Sequence, residues 1–301
     1  MTPGPSHRPD ILCIGSVLWD VIGRSPASMR IGSDVPGRIV RLPGGVALNV
    51  AMTLARLGMR PALLSVLGRD EAGDELVRRT TDMGIETGWI YRSEDLPTDA
   101  YMAIEGAGGL VAAIADAHSL ERAGARILAP LGDGGLGRPE APWAGPVALD
   151  GNLTEALLRE IATSPLFARA DLRVAPASPG KATRLQALMG HPSATLYVNL
   201  EEAGSLALTR FGTAAEAARA LVARGVARVL VTDGGQPAAE ATADRCLTRT
   251  PPEVLVARVT GAGDTFMAAH IVADLAGADP ASALEAALLA AAAHVSGDRD
   301  P

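Results

Sequence analysis

The sequence predicts an α/β fold in which a mostly parallel central sheet is covered by helices on both faces, with a small β lid beside it. Three observations carry that expectation. Strand-like and helix-like segments alternate along the chain, the pattern of parallel strands joined by crossover helices. A turn-rich, hairpin-like stretch between residues 90 and 114 interrupts the alternation. Near the C-terminus a glycine-rich turn opens an apolar helix, a geometry suited to holding an anion.

Taken in order, Ile11-Leu12-Cys13-Ile14-Gly15 reads as a buried first strand, and residues 16–23 as a strand end carrying one carboxylate, Asp20. Residues 24–43 hold Pro26, Gly32, Pro36, Gly37 and Pro43 and exclude a long helix. After Gly45 the apolar spacing turns helical, with Val46, Val50 and Leu54 beside Ala47, Ala51 and Ala55, and Gly58 is placed as a left-handed stop. Residues 62–67 predict a strand and 71–83 a helix. Residues 101–104 and 110–114 flank Glu105-Gly106-Ala107-Gly108-Gly109 as an antiparallel hairpin. With the irregular stretch before residue 43 it defines a lid of two segments, about 17–43 and 96–116, on one domain spanning residues 1–301. An apolar hairpin of this length left uncovered is an aggregation risk, so the lid is expected to close over substrate or to pair in a homodimer.

Residues 131–145, rich in Gly and Pro, predict a loop or a partly disordered segment. Alternation then resumes, with strands at 147–149, 172–174, 195–198, 227–232 and 254–257 and helices at 153–161 and 182–189.

Composition bounds the function. The 301 residues are 48% hydrophobic and 20% charged, enough for a large core. A net charge of −7 and 3% aromatics argue against a nucleic-acid or anionic-membrane surface. Cys13 and Cys246 are too few for a disulfide scaffold. The polar, proline-rich first ten residues do not read as a signal peptide, and no apolar run approaches the length of a membrane span, so a cytoplasmic protein is expected. The five histidines lack zinc-ligand spacing; His270 and Asp274, one turn apart, read as a local pair. Gly180-Lys181-Ala182-Thr183 lacks the hydroxyl residue directly after Lys that a P-loop requires.

The densest chemistry lies at Val259-Thr260-Gly261-Ala262-Gly263-Asp264-Thr265-Phe266. Small residues let backbone N–H groups approach a ligand, and the helix that follows points a partial positive charge at it. Asp264 at such an end either caps the helix or acts as a base beside a transferring group. Pro43-Gly44-Gly45 followed by Asn49 forms a tight helix start with an amide in its first turn. Asn199-Leu200-Glu201-Glu202 follows a strand; on its own it also reads as a strand-end Asn beside an acidic helix start. Lys181 is the only lysine in the chain, either a surface cation or a point charge for a phosphate.

The Thr-Gly-Ala-Gly-Asp-Thr-Phe stretch resembles the signature of the ribokinase-like (PfkB) carbohydrate and nucleoside kinases, and the other motifs fit that pattern over nearly the whole chain. The resemblance implies a ribokinase-like three-layer sandwich and an ATP-dependent kinase acting on a hydroxyl. It implies Asp264 as catalytic base, with Gly261, Ala262 and Gly263 amides as the anion hole. Asp20, Gly44, Gly45 and Asn49 would grip sugar hydroxyls. Asn199, Thr232, Gly234 and Lys181 would hold ATP, and Glu202 would help hold Mg²⁺. The Thr232–Gly234 turn is the weaker match, because Pro237 stands where a second glycine is usual.

A monovalent cation is a further cofactor of the family, although Arg258 stands where much of it has Asp, and Val198 replaces a frequent Pro. Within the family, the Ser33–Ile39 stretch, Asp150-Gly151-Asn152 and Pro176-Ala177-Ser178 with Lys181 are most similar to pseudouridine kinases, with Ala175 departing from their Asp. That likeness makes Asn152 and Asp116 candidates for reading a base, and the 5′-hydroxyl of pseudouridine the expected acceptor. A ribokinase-like or fructokinase-like sugar kinase is the alternative, and a non-catalytic nucleoside-binding protein the alternative from another class.

Overall fold

The computed structural model describes residues 8–30, 32–107 and 109–297. The first seven residues, Ile31, Gly108 of the hairpin turn and the last four residues lie outside that description. The chain runs β1 (Ile11–Ile14), β2 (Leu18–Arg24), β3 (Arg38–Gly44), α1 (Val46–Arg56), β4 (Pro61–Leu64), β5 (Val66–Gly68) and α2 (Glu71–Asp82). It continues through β6 (Tyr91–Ser93), β7 (Ala100–Gly106), β8 (Gly109–Asp116), α3 (His118–Ala123), β9 (Pro146–Asp150), α4 (Glu155–Thr163) and β10 (Asp171–Ala175). It ends with β11 (Ala194–Asn199), α5 (Leu200–Ala207), α6 (Ala214–Ala223), β12 (Arg228–Asp233), β13 (Gln236–Thr242), β14 (Cys246–Arg249), α7 (Ala262–Leu275) and α8 (Pro280–Ser296).

The main sheet has the order β14-β13-β12-β11-β10-β9-β1-β4, parallel from β4 to β12 and antiparallel in its last two strands. Alternate residues of each central strand feed two cores. Leu12 and Ile14 join Leu149, Leu172, Leu196 and Val229 under α4, α5 and α6. Ile11 and Cys13 join Leu63, Tyr197 and Leu230 under α1, α7 and α8. Burial on both faces is why these strands read as unbroken apolar runs. The result is the ribokinase-like three-layer α/β sandwich that the sequence predicts.

A second sheet, β3-β2-β7-β8, comes from the two segments that frame residues 17–43 and 96–116. Its β2–β7 pairing is parallel, and β7–β8 is the expected hairpin. The rows run Leu42–Asp20–Tyr101–Ala115 and, one step along, Arg41–Val21–Met102–Ile114. Successive rows face opposite sides, so Asp20 lies on one face and Met102 and Ile114 on the other.

Several local expectations change. Residues 254–257 are not a strand: Pro251 and Pro252 precede them, Val254, Leu255 and Val256 are exposed, and Ala257 and Arg258 donate their N–H groups to Val295 O of α8. The sheet is completed instead by β13, which is alanine-rich and interrupted by Glu240, and by the four-residue β14, neither of which carries much strand signal. Residues 131–145 form the expected loop, but one that sends Trp143 and Leu136 into the core. The predicted helix at 182–189 is the end of a tighter 3₁₀ stretch, Pro179–Leu188.

His270 and Asp274 do not pair with each other. Both reach from α7 across the sheet. His270 Nδ1 meets Tyr197 Oη at 2.9 Å, and Asp274 accepts from Arg173 Nη2 at 2.7 Å and from Arg228 Nη1 at 2.9 Å. Arg228 Nε and Arg245 Nη2 also donate to the fully buried Glu240. His270 Nε2 stands 3.6 Å from Glu240 Oε2, beyond a hydrogen bond, and that oxygen has no other partner. Burial works to raise the Glu240 pKa, but proximity to His270 and the two guanidinium groups outweigh it and hold it down at about 2.

Removing one member of a buried charge cluster leaves its partner uncompensated. Arg228→Ala is therefore expected to destabilise the fold by about 3–5 kcal/mol in urea unfolding. The Glu240 contribution should be fully present above its ordinary pKa of 4.5 and be lost as pH falls toward about 2. Unfolding free energies measured between pH 7 and pH 2 check the sign.

Candidate active site

Parallel sheets bind ligands at the carboxyl ends of their strands, where helix N-termini and loops gather. Here β1 ends in Gly15-Ser16, β9 in Asp150, β11 in Asn199 and β12 in Thr232-Asp233. The starts of α1 and α7 meet above them. Asn49 Nδ2, in the first turn of α1, donates to Asp264 Oδ2, in the first turn of α7, at 2.9 Å.

Both helix starts depend on glycine. Gly45 caps α1 at φ +98°, and Gly261 caps α7 at φ +84°, in the left-handed region. A methyl at Gly44 would overlap the Asp20 carboxylate, and one at Gly45 would stand 2.5 Å from Ser16 O. The glycines thus let β2 and the end of β1 close against the helix start.

The charge pattern is lopsided. Asp264 is half-buried; burial, and then the charges of Asp150, Asp20 and Glu202, push its pKa to about 7 against the pull of the Asn49 hydrogen bond. Burial raises Asp20 to about 6 and Glu202 to about 7, the latter also pushed up by Glu201 and partly offset by the Asn199 backbone N–H.

Asp150 is 1% exposed and accepts four hydrogen bonds: its Oδ2 accepts from Ser16 N at 2.7 Å, Ser16 Oγ at 2.5 Å and Asn152 Nδ2 at 3.2 Å, and its Oδ1 from Asn152 N at 2.8 Å. Ser16 Oγ also accepts from Val46 N at 2.9 Å, which ties Asp150 to the start of α1. A methyl on Gly15 would overlap Asp150. Neither Ser16 nor Gly15 stood out in the sequence, and Asp150 was visible only as part of a motif. The usable signal was position, directly after two buried strands.

The other expected residues fall into two wings. Lys181 Nζ donates to Asn152 Oδ1 at 2.5 Å, so Lys181 joins Asn152 and Asp150. Asn199 and Thr232 are register partners on β11 and β12, and Gly234 turns the chain at φ +54° into β13. Asn199 and Glu202 form a reciprocal capping box, both bonds at 2.8 Å, which is the helix-start arrangement the sequence also allowed. Among the three amides expected to form an anion hole, Ala262 N is engaged with Val259 O at 3.1 Å. The structure does not bring Asp116 to this cluster: it is exposed, and its row, Trp19–Ala100–Asp116, faces the side opposite Asp20.

Comparison with known proteins finds the pfkB family carbohydrate kinase signature over residues 8–298. Pseudouridine kinase of Escherichia coli (strain K12) is 27% identical over 266 residues, 86% of this chain and 81% of that one. The uncharacterised sugar kinase YeiI of the same organism is 31% identical over 270 residues, 88% and 72% of the two chains. A carbohydrate kinase structure from Agrobacterium tumefaciens superposes with a TM-score of 0.80 at 26% identity, covering 96% and 94%.

A carboxylate whose pKa is raised costs stability once ionised. Asp264→Asn keeps an acceptor for Asn49 and removes that cost. The variant should be more stable than the parent by about 1–3 kcal/mol at pH 8, where the parent Asp264 is ionised, and the gain should vanish near pH 4. Thermal unfolding at the two pH values checks this.

Proposed function

The chain belongs to the pfkB family of carbohydrate kinases, and from that premise we propose that it transfers the γ-phosphoryl group of ATP to the 5′-hydroxyl of a ribonucleoside, pseudouridine foremost. The observation that carries the reading is Asp264, a half-buried carboxylate at a helix N-terminus with its pKa raised to about 7. A base needs a proton affinity near the working pH, and backbone amides beside it stabilise negative charge on the transferred group.

In this reading Asn49 orients Asp264, which accepts the hydroxyl proton as the oxygen attacks phosphorus. The amides of Gly261 and Gly263 face the charge that develops. Asp20, an acceptor-only group on the second sheet, pairs with ribose hydroxyls, and Gly44 and Gly45 let Asp20 and Ser16 pack close against the start of α1. Asn199, Thr232 and Gly234 lie at the ends of β11 and β12, where the nucleotide would bind.

The donor set also fits Mg²⁺. Asp20, Asp150, Asp264 and Glu202 lie near enough to act on one another and together exceed the positive charge of Lys181. A hard cation that keeps water and phosphate oxygens as most of its ligands suits such a site. Glu202 would hold the ion or its waters, and the ion would neutralise phosphate charge.

The choice of pseudouridine is supported by the E. coli relative of that name and by the Lys181–Asn152 pair. Lys181 keeps two N–H donors for carbonyl oxygens of a base, and Asn152 Oδ1 keeps a lone pair for an N–H. A sugar kinase is the second reading, supported by the likeness to YeiI. We also propose a homodimer through the outer face of the second sheet, where Ile39, Met102, Ile104 and Ile114 are exposed.

Asp264→Asn is expected to lower kcat by roughly 10²-fold or more while nucleotide still binds. In the parent, kcat/KM should rise with pH through about 7, because only the ionised carboxylate accepts the proton. Turnover by the variant within a few-fold of the parent would reject the base assignment. Leaving a buried base-reading group unpaired costs about 1–3 kcal/mol. Accordingly, kcat/KM for pseudouridine should exceed that for uridine and for ribose by at least about tenfold. Equal efficiency on ribose would favour the sugar-kinase reading. Light scattering at micromolar concentration should give the mass of a dimer, and Ile114→Glu should give a monomer.

A further inference from the structure

The loop before α7 is held from outside the cluster described above. Arg258 Nε donates to His294 O at 2.8 Å, and Arg258 Nη2 lies 3.2 Å from His294 Nδ1. His294 Nε2 lies 2.8 Å from Thr260 O. The backbone adds two bonds, from Ala257 N at 2.9 Å and Arg258 N at 3.1 Å to Val295 O.

The partners fix the histidine's state. A carbonyl only accepts, so Nε2 carries the hydrogen that faces Thr260; a guanidinium only donates, so Nδ1 is bare where it faces Arg258. The ring is therefore neutral and bridges a side chain to a backbone carbonyl.

That carbonyl matters because a trans peptide is planar, with its C=O and the next N–H pointing in opposite directions. Holding Thr260 O toward α8 aims the Gly261 N–H away from α8. Gly261 is also the α7 cap at φ +84°, and a methyl there would stand 3.2 Å from His294 Nε2. Glycine, with its unusually free backbone, would otherwise let this peptide turn.

We infer that Arg258 and His294 are positioning residues that lock the Thr260–Gly261 peptide and so set the direction of the first amide of the anion hole. They touch neither substrate nor phosphate. The inference rests on the reading of the α7 N-terminus as the phosphoryl site, and its test has one arm that needs no activity.

Arg258 is exposed and His294 only half-buried, so substitutions there leave both cores intact. Hydrogen exchange of the 259–265 amides should accelerate at least tenfold in Arg258→Ala and in His294→Ala. In His294→Gln, whose amide can donate to Thr260 O and accept from Arg258, it should stay near the parent rate. In the kinase assay with pseudouridine, both alanine variants should lose at least tenfold in kcat with the KM for the acceptor within about twofold, and the glutamine variant should recover most of it.

Parental exchange in both alanine variants overturns the clamp, and faster exchange with unchanged kcat overturns its role in aiming the amide. A parent without kinase activity on nucleosides or sugars would instead reject the proposed function, and the exchange rates would still decide whether the clamp exists.

Discussion

Helix α7 serves two purposes along one rod, and the fold depends on how its buried face is held. Its C-terminal half carries His270 and Asp274 into a cluster with Arg173 and Arg228, which also reaches Tyr197 and Glu240 on neighbouring strands. Each buried charge there has an opposite charge within 3 Å. Buried ion pairs return little net stability over apolar packing, but their geometry is demanding. A helix pinned this way to β10, β11, β12 and β13 cannot rotate or slide without leaving charges unpaired. Its N-terminus is consequently delivered to one place above the sheet.

At that other end the electrostatics reverse. Asp264, Asp20 and Glu202 are pushed up in pKa by burial, with Asp150 and the other carboxylates adding to the effect at Asp264. A fold selected only for stability would neutralise such a group of acids. Leaving them undercompensated destabilises the protein modestly and holds the Asp264 carboxyl at a proton affinity near neutral pH, the property that the proposed base role requires. A balanced cluster at one end of α7 thus contrasts with an unbalanced one at the other, within a single helix.

Between the two helix starts, Ser16 is the joint. Its hydroxyl donates to Asp150 and accepts from Val46 N and Asn152 Nδ2, so one buried oxygen links β1, β9 and α1. Asp150 accepts four hydrogen bonds, three of them on Oδ2, whereas Asp264 accepts one from the Asn49 side chain, which separates the two carboxylates of one cluster. The same joint holds Asn152, and through it Lys181, while Arg184 grips the Asn152 and Leu153 carbonyls. The Asn152–Lys181 wing is thus wired to the strand ends rather than carried on a free loop.

The fold class, most elements of the main sheet and the glycine-flanked helix starts were legible in the amino-acid order, because periodicity of 2 or 3.6 residues and the need for glycine at positive φ are local properties. The last two strands of the main sheet, β13 and β14, were not, since short strands of weak β-propensity owe their place to the neighbour they pair with. The partners of Asp264 were not legible either: Asn49 lies 215 residues away, and a proton affinity is set by whatever comes near in space. Ladder parity, known only once β2, β7 and β8 are aligned, turned Asp116 away from Asp20. Contacts between α8 and the 257–260 loop joined Arg258 to His294. Local chemistry thus determined which residues were available, and tertiary packing decided which of them meet, because hydrogen bonds and charges act through distance in space rather than along the chain.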